Sequence, residues 1–120
     1  MSDEQELFDS LHDKEYRDLY GSEIVGSILA AQIRAIREGQ EMTQAELGMR
    51  AQMAQESISK LESPDYGRYS LSTLKRLAAA LDVALLVRFG TFSEMAEWVV
   101  NLKPEKLAPA SYEEEPKRSS

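Results

Sequence analysis

The chain has 120 residues, 42% hydrophobic and 29% charged, with a formal net charge of −7, which describes one domain plus tails, large enough to bury its own core. The absence of cysteine excludes disulfides, thiolate metal sites and cysteine nucleophiles. The acidic start MSDEQELFDS has the wrong charge for a signal peptide, and no window approaches the ~18 consecutive apolar residues of a membrane span, so a cytoplasmic protein with no membrane contact is expected.

The charge is unevenly spread. Residues 1–27 carry eight acids and two bases, residues 28–90 seven acids and eight bases, and residues 91–120 six acids and four bases. Contact with a polyanion therefore belongs to the middle of the chain. Non-specific affinity for nucleic acid comes from phosphate neutralisation, so it is expected to be modest. The single histidine, His12, lies in the acidic start and is read as a surface residue. No cofactor and no metal site are expected.

Residues 1–12 are expected to be frayed or loosely helical. In DKEYRDLY, Asp13 to Tyr20, the residues Tyr16, Leu19 and Tyr20 recur at helical spacing and predict a short amphipathic helix, which Gly21-Ser22 interrupts. SEIVGSILAAQIRAIREG then sets Ile24, Val25, Ile28, Leu29, Ile33 and Ile36 at helical spacing. Gly39 is placed to be its left-handed C-terminal residue, with Arg37 in the last turn, where the helix dipole favours a cation. The apolar surface is wider than one stripe requires, so this helix is expected to face its own core and a second surface such as another subunit.

Thr43 to Glu62, TQAELGMRAQMAQESISKLE, predicts two short helices with a break at Ala51-Gln52-Met53. Thr43 is an N-cap with Glu46 three residues on, a reciprocal capping box, and Met42 with Leu47 completes a hydrophobic staple. The second helix starts near Ala54 or Gln55 and ends by Glu62, because Pro64 moves Ser63 out of the helical region. It buries Ile58 and Leu61 and leaves Gln55, Glu56, Ser57, Ser59 and Lys60 pointing elsewhere. Amides, hydroxyls and one cation on a short helix are suited to reading base edges. Met49 and Met53 are read as gap-filling core residues.

Thr43–Glu62 resembles the helix-turn-helix of the Cro/phage-repressor (XRE) family, in the form TQ-x-EL…ISKLE, without gaps at Thr43, Gln44, Glu46, Leu47, Ala51, Ile58, Ser59, Lys60, Leu61 and Glu62. The family usually has glycine at the turn, where this chain has Gln52. Gln52 must either carry the ~1–2 kcal/mol cost of a left-handed side-chain-bearing residue or use a different turn. The resemblance implies a structural ion pair between Arg37 and Glu62. It also implies that the loop SPDYGRY, Ser63 to Tyr69, runs beside the DNA backbone with Arg68, Tyr66 and the N–H groups near Gly67 as phosphate donors.

Ser70 or Ser72 caps the next helix, LSTLKRLAAALD, with Leu71, Leu74, Leu77, Ala78 and Leu81 in one stripe and Tyr69 with Leu74 as a staple. It is similar to the family's core-closing fourth helix. VALLVRF, Val83 to Phe89, is β-branched and aromatic and reads as a strand, with extension of the preceding helix as the alternative. A lone strand leaves backbone groups unpaired, so the same strand of a second subunit is the expected partner. Thr91 and Glu94 form a second capping box before a helix bearing Met95, Trp98, Val99 and Leu102. Val83, Leu85, Val87, Phe89, Phe92 and Trp98 are the candidate dimerisation residues, with a partner-protein groove as the alternative. The composition after Pro104 reads as a disordered tail.

The expected fold class is mainly all-α: a lambda-repressor-like helix-turn-helix domain of four to five helices, an N-terminal helical extension, and a short C-terminal strand plus helix. The expected divisions are 1–27, an acidic extension; 28–82, the DNA-binding domain; 83–103, the dimerisation element; and 104–120, the tail. The expected partner is double-stranded DNA, read by a homodimer through the major groove as a repressor would. Thr43, Gln44, Gln55, Glu56, Ser57, Ser59, Lys60 and Arg68 would carry the contacts, Gln44 on phosphate and Gln55 on adenine. The alternative is an antitoxin that neutralises a protein toxin and regulates its own operon. An enzyme is not expected, since no Ser/His/Asp set, metal cluster or Gly-rich phosphate loop is written in the chain.

Overall fold

A computed structural model describes residues 3–118. Seven helices follow in order: α1 Asp3–Ser10, α2 Lys14–Gly39, α3 Gln44–Ala51, α4 Gln55–Leu61, α5 Leu71–Leu81, α6 Phe92–Val100 and α7 Pro104–Leu107. The chain is thus all-α among the described residues, and no strand is present there.

The main core forms where the apolar stripes of α2, α3, α4 and α5 meet. Ile33 and Ile36 of α2, Leu47 and Ala51 of α3, Ile58 and Leu61 of α4, and Leu77 and Leu81 of α5 are all buried in one cluster with Met42. Burying a Leu or Ile side chain contributes roughly 1.5–3 kcal/mol, so the short α3 and α4 are held by packing where their length alone would not hold them. Tyr69 adds a polar tie, donating its hydroxyl hydrogen to Leu61 O at 2.6 Å. Burial raises the pKa of that hydroxyl, which keeps it a donor. Met53 is half-buried against the core, but Met49 is 81% exposed. It is therefore not the core residue its apolar character suggested: it lies on the outward face of α3, beside exposed Arg50.

α2 departs from expectation at its start. No break occurs at Gly21-Ser22, and one helix of 26 residues runs from the Asp13 cap, whose side chain accepts from Glu15 N, to Gly39. Glycine costs about 1 kcal/mol inside a helix, but here it permits a close approach. A Cβ on Gly21 would lie 3.3 Å from Cε1 of Phe92 in α6. At the other end Gly39 is still helical and Glu41 takes the left-handed conformation at φ 59°. Glu41 N bonds Glu38 O and Met42 N bonds Arg37 O, a Schellman closure.

Residues 3–10 form an ordered helix, not a frayed end, because α1 packs on α6 and buries Leu11 and Ala96. Arg17 closes that corner: its Nη1 donates to the carbonyls of Leu11 and His12, and its guanidinium lies 6.0 Å from the Phe92 ring centroid.

The expected strand is a correction. Asp82 ends α5 in the left-handed region at φ 58°, and 83–90 then runs without regular structure. Helix extension fails because Asp82 turns the chain; a ladder fails because no segment among the described residues pairs with this one. Phe89, Phe92 and Trp98 make no ring contact with one another among the described residues, so the expected aromatic group is not assembled within the chain.

Residues 104–118 are also not a free tail among the described residues. Gln32 Nε2 donates to Leu107 O, Ala108 packs on the core, Ser111 is buried, and Tyr112 N and Glu113 N donate to Asp82 O and Oδ2. The stretch supplies donors to the end of α5, which composition does not reveal.

Candidate nucleic-acid interface

The site is built from three devices, which fix the start of α3, the turn, and the end of α4. The first fixes the start of α3. Thr43 Oγ1 accepts from Glu46 N at 3.1 Å, and Glu46 Oε1 accepts from Thr43 N at 3.1 Å. The Thr43 N–H draws the Glu46 carboxyl pKa below its usual value.

The second device is the turn. Gln52 adopts φ 57° and ψ 47°, so it bears the left-handed cost. Gln52 N bonds Met49 O and Met53 N bonds Gly48 O at 2.8 Å. The turn closes so tightly on α3 that a Cβ at Gly48 would stand 2.6 Å from Met53 O. Gly48 is therefore the glycine the turn requires, four residues before the position where family resemblance looks for one. Arg76 of α5 adds a clamp, with Nη2 donating to Ala51 O at 2.9 Å and Gln52 O at 2.6 Å.

The third device fixes the end of α4. Arg37 Nε and Nη2 donate to Glu62 Oε2 and Oε1 at 2.6 and 3.0 Å, and Arg37 Nη1 donates to Met42 O at 2.7 Å. The two side chains are 11% and 4% exposed. The hydrogen bond to Glu62 raises the pKa of Arg37, so the guanidinium stays charged. Gln44 Nε2 also donates to Glu62 Oε1, at 3.2 Å. The amide expected to face phosphate is thus tied inward through one N–H, with its second N–H left for another acceptor.

Between these anchors α4 exposes Gln55, Glu56, Ser57, Ser59 and Lys60, while Ile58 and Leu61 are buried. Ala54 caps the helix without a side-chain bond. Arg68 is exposed on the following loop. Arg50, Lys60, Arg68 and Lys75 make no ion pair or side-chain hydrogen bond among the described residues, whereas Arg34 and Arg37 are paired with Glu38 and Glu62. Their charges remain available to a polyanion.

Of the candidate dimerisation residues, Val83 lies against the core and Leu85 is half-buried; Val87, Phe89, Phe92 and Trp98 are exposed, Phe89 completely. Two residues were missed by reading the chain alone: Gly48 and Arg76. Neither has a local signal, since both act on carbonyls contributed by the turn.

A packed helix pair of this kind, turning on a left-handed residue and presenting a polar second helix, is a helix-turn-helix. Residues 33–87 match the family model described as Helix-turn-helix. The segment carries a helix-turn-helix of the Cro/phage-repressor (XRE) type, a match that supports a DNA-binding transcriptional regulator. No curated protein and no solved structure matches the chain. No helix among the described residues is long and apolar enough to cross a membrane.

Proposed function

We propose that the protein is a repressor that binds a pseudo-palindromic operator as a homodimer, one α4 in each of two successive major grooves. The observation that carries this reading is the exposed polar face of α4, Gln55 to Lys60, on a helix held at its start by the turn and at its end by Arg37 and Glu62. Gln55 pairs bidentately with adenine, Glu56 accepts from cytosine N4 and disfavours phosphate, and Ser57, Ser59 and Lys60 contact base or backbone. The N-terminus of α3 at Thr43 and Gln44, together with Arg68, holds phosphate and sets the register. Repression follows the habit of the family.

The homodimer is supported by 83–90, a run without regular structure in which Leu86 is 89% and Phe89 102% exposed. Its apolar side chains, and the backbone groups of 84–87, which make no hydrogen bond among the described residues, suit antiparallel pairing with the same run of a second copy about a twofold axis.

Selection from a randomised duplex pool at ~100 mM salt, where non-specific affinity is already weak, tests the proposal. Enrichment of a pseudo-palindrome with half-sites ~34–36 Å apart is expected. Gln55→Ala then relaxes preference at one base pair in each half-site. A folded dimer that enriches no sequence would overturn the operator reading and favour the antitoxin alternative, in which the exposed apolar run meets a toxin.

A further inference from the structure

Arg76 is exposed on α5, yet its Nη2 is spent inside the molecule, on the carbonyls of Ala51 and Gln52. These are the last carbonyls of α3, where a helix carries unsatisfied acceptors and partial negative charge. Among the described residues no other side chain donates to either one. The turn they belong to is under strain. Gln52 is left-handed although it carries a side chain, and the turn closes so near α3 that a Cβ on Gly48 would stand 2.6 Å from Met53 O. α4 follows only two residues later with an alanine cap that makes no side-chain bond. The start of α4, which includes Gln55, thus has no anchor of its own except the turn.

We propose that Arg76 is a positioning residue for DNA reading: by bridging the end carbonyls of α3 it sets the direction in which α4 leaves the turn, and so where Gln55 meets the base edges. This rests on the reading of α4 as the base-reading helix. Arg76 acts on DNA through Gln52 and the turn and makes no contact with phosphate in this role. Its effect is therefore on discrimination between sequences, not on affinity for duplex in general. Glycine at position 52 removes the strain that Arg76 opposes, so the two positions are energetically coupled.

The experiment compares the full chain with Arg76→Met, Gln52→Gly, the double variant and Gln55→Ala. Each is titrated across a salt series with the duplex enriched by the wild type and with a scrambled duplex. Circular dichroism establishes that each variant is folded. Arg76→Met is expected to weaken the enriched duplex about tenfold, the scale of one misplaced bidentate base contact, with scrambled-duplex affinity and the salt slope unchanged. Adding Gln52→Gly is expected to restore most of that loss.

Equal weakening of both duplexes, with a salt slope shallower by about 0.9, would make Arg76 a phosphate contact and overturn the proposal. So would failure of Gln52→Gly to rescue. If Arg76→Met does not fold, Arg76→Lys carries the same comparison, since it keeps the charge and lacks the planar guanidinium. A silent Arg76→Met beside an active Gln55→Ala refutes the positioning role alone. If both are silent, or no sequence is enriched, the reading of α4 fails and the proposal falls with it.

Discussion

The guanidinium of Arg37 is committed on three sides, to both oxygens of Glu62 and to Met42 O. Removing it leaves a carboxylate, 4% exposed, against one amide. Arg37→Met is expected to lower the unfolding free energy by about 3–5 kcal/mol, read by urea titration, whereas a loss within the ~1 kcal/mol of a surface pair would mean that solvent reaches Glu62. The turn makes two opposite predictions. Gly48→Ala places Cβ 2.6 Å from Met53 O and is expected to destabilise by about 1–3 kcal/mol. Gln52→Gly relieves a left-handed strain of ~1–2 kcal/mol against a gain in unfolded-chain entropy of ~0.4–1 kcal/mol, so a small net stabilisation is expected in the same titration. At this scale the capping residues Thr43 and Glu46 are legible because donor and acceptor lie three residues apart. Gly48 is not, because its constraint is the position of a carbonyl five residues on.

The helices differ in how openly their ends are written. α3 and α6 each begin with a complete capping box, Thr43–Glu46 and Thr91–Glu94, and α5 begins with Ser70 accepting from Thr73 N. In both boxes the threonine N–H lowers the pKa of the glutamate. A carboxyl with a folded pKa below its unfolded ~4.3 contributes stability above that value and loses it as pH falls through the folded pKa. The melting temperature is therefore expected to fall as pH drops below about 4.3, and less steeply in a Glu46→Gln, Glu94→Gln variant, whose amides still accept from the threonine N–H groups. Parallel pH profiles for the two proteins would assign the acid sensitivity to other carboxylates. Between helices the local signals mislead: Gly21 reads as a breaker, but the Phe92 ring lies where a side chain would point, and packing outweighs propensity. Val83–Phe89 reads as a strand by composition, yet a strand requires a ladder, and the described residues do not provide one.

Across the molecule, with extents of 44 × 40 × 23 Å, α2 carries the helix-turn-helix core on its C-terminal half and meets Phe92 of α6 through Gly21 and Arg17 on its N-terminal half. The exposed run Leu86–Phe89 lies between those two packing regions in sequence. Replacing Leu86 and Phe89 together with Asp is expected to leave helix content unchanged and turn the proposed dimer into a monomer by sedimentation, with weaker binding to the proposed operator; an unchanged mass would place self-association elsewhere. Helix type, the capped starts, the polar face of α4 and the candidate pair Arg37–Glu62 were readable in the residues, the pair through family resemblance, because periodicity, capping and a matched motif are encoded within short stretches. The docking of α1 on α6, the continuity of α2, the ordering of 104–118 and the clamp of Arg76 on the turn were not. Each joins groups distant in sequence, and which carbonyl, ring or glycine a side chain meets is settled only when the helices close on one another and the entropy of ordering them is offset by the surface they bury.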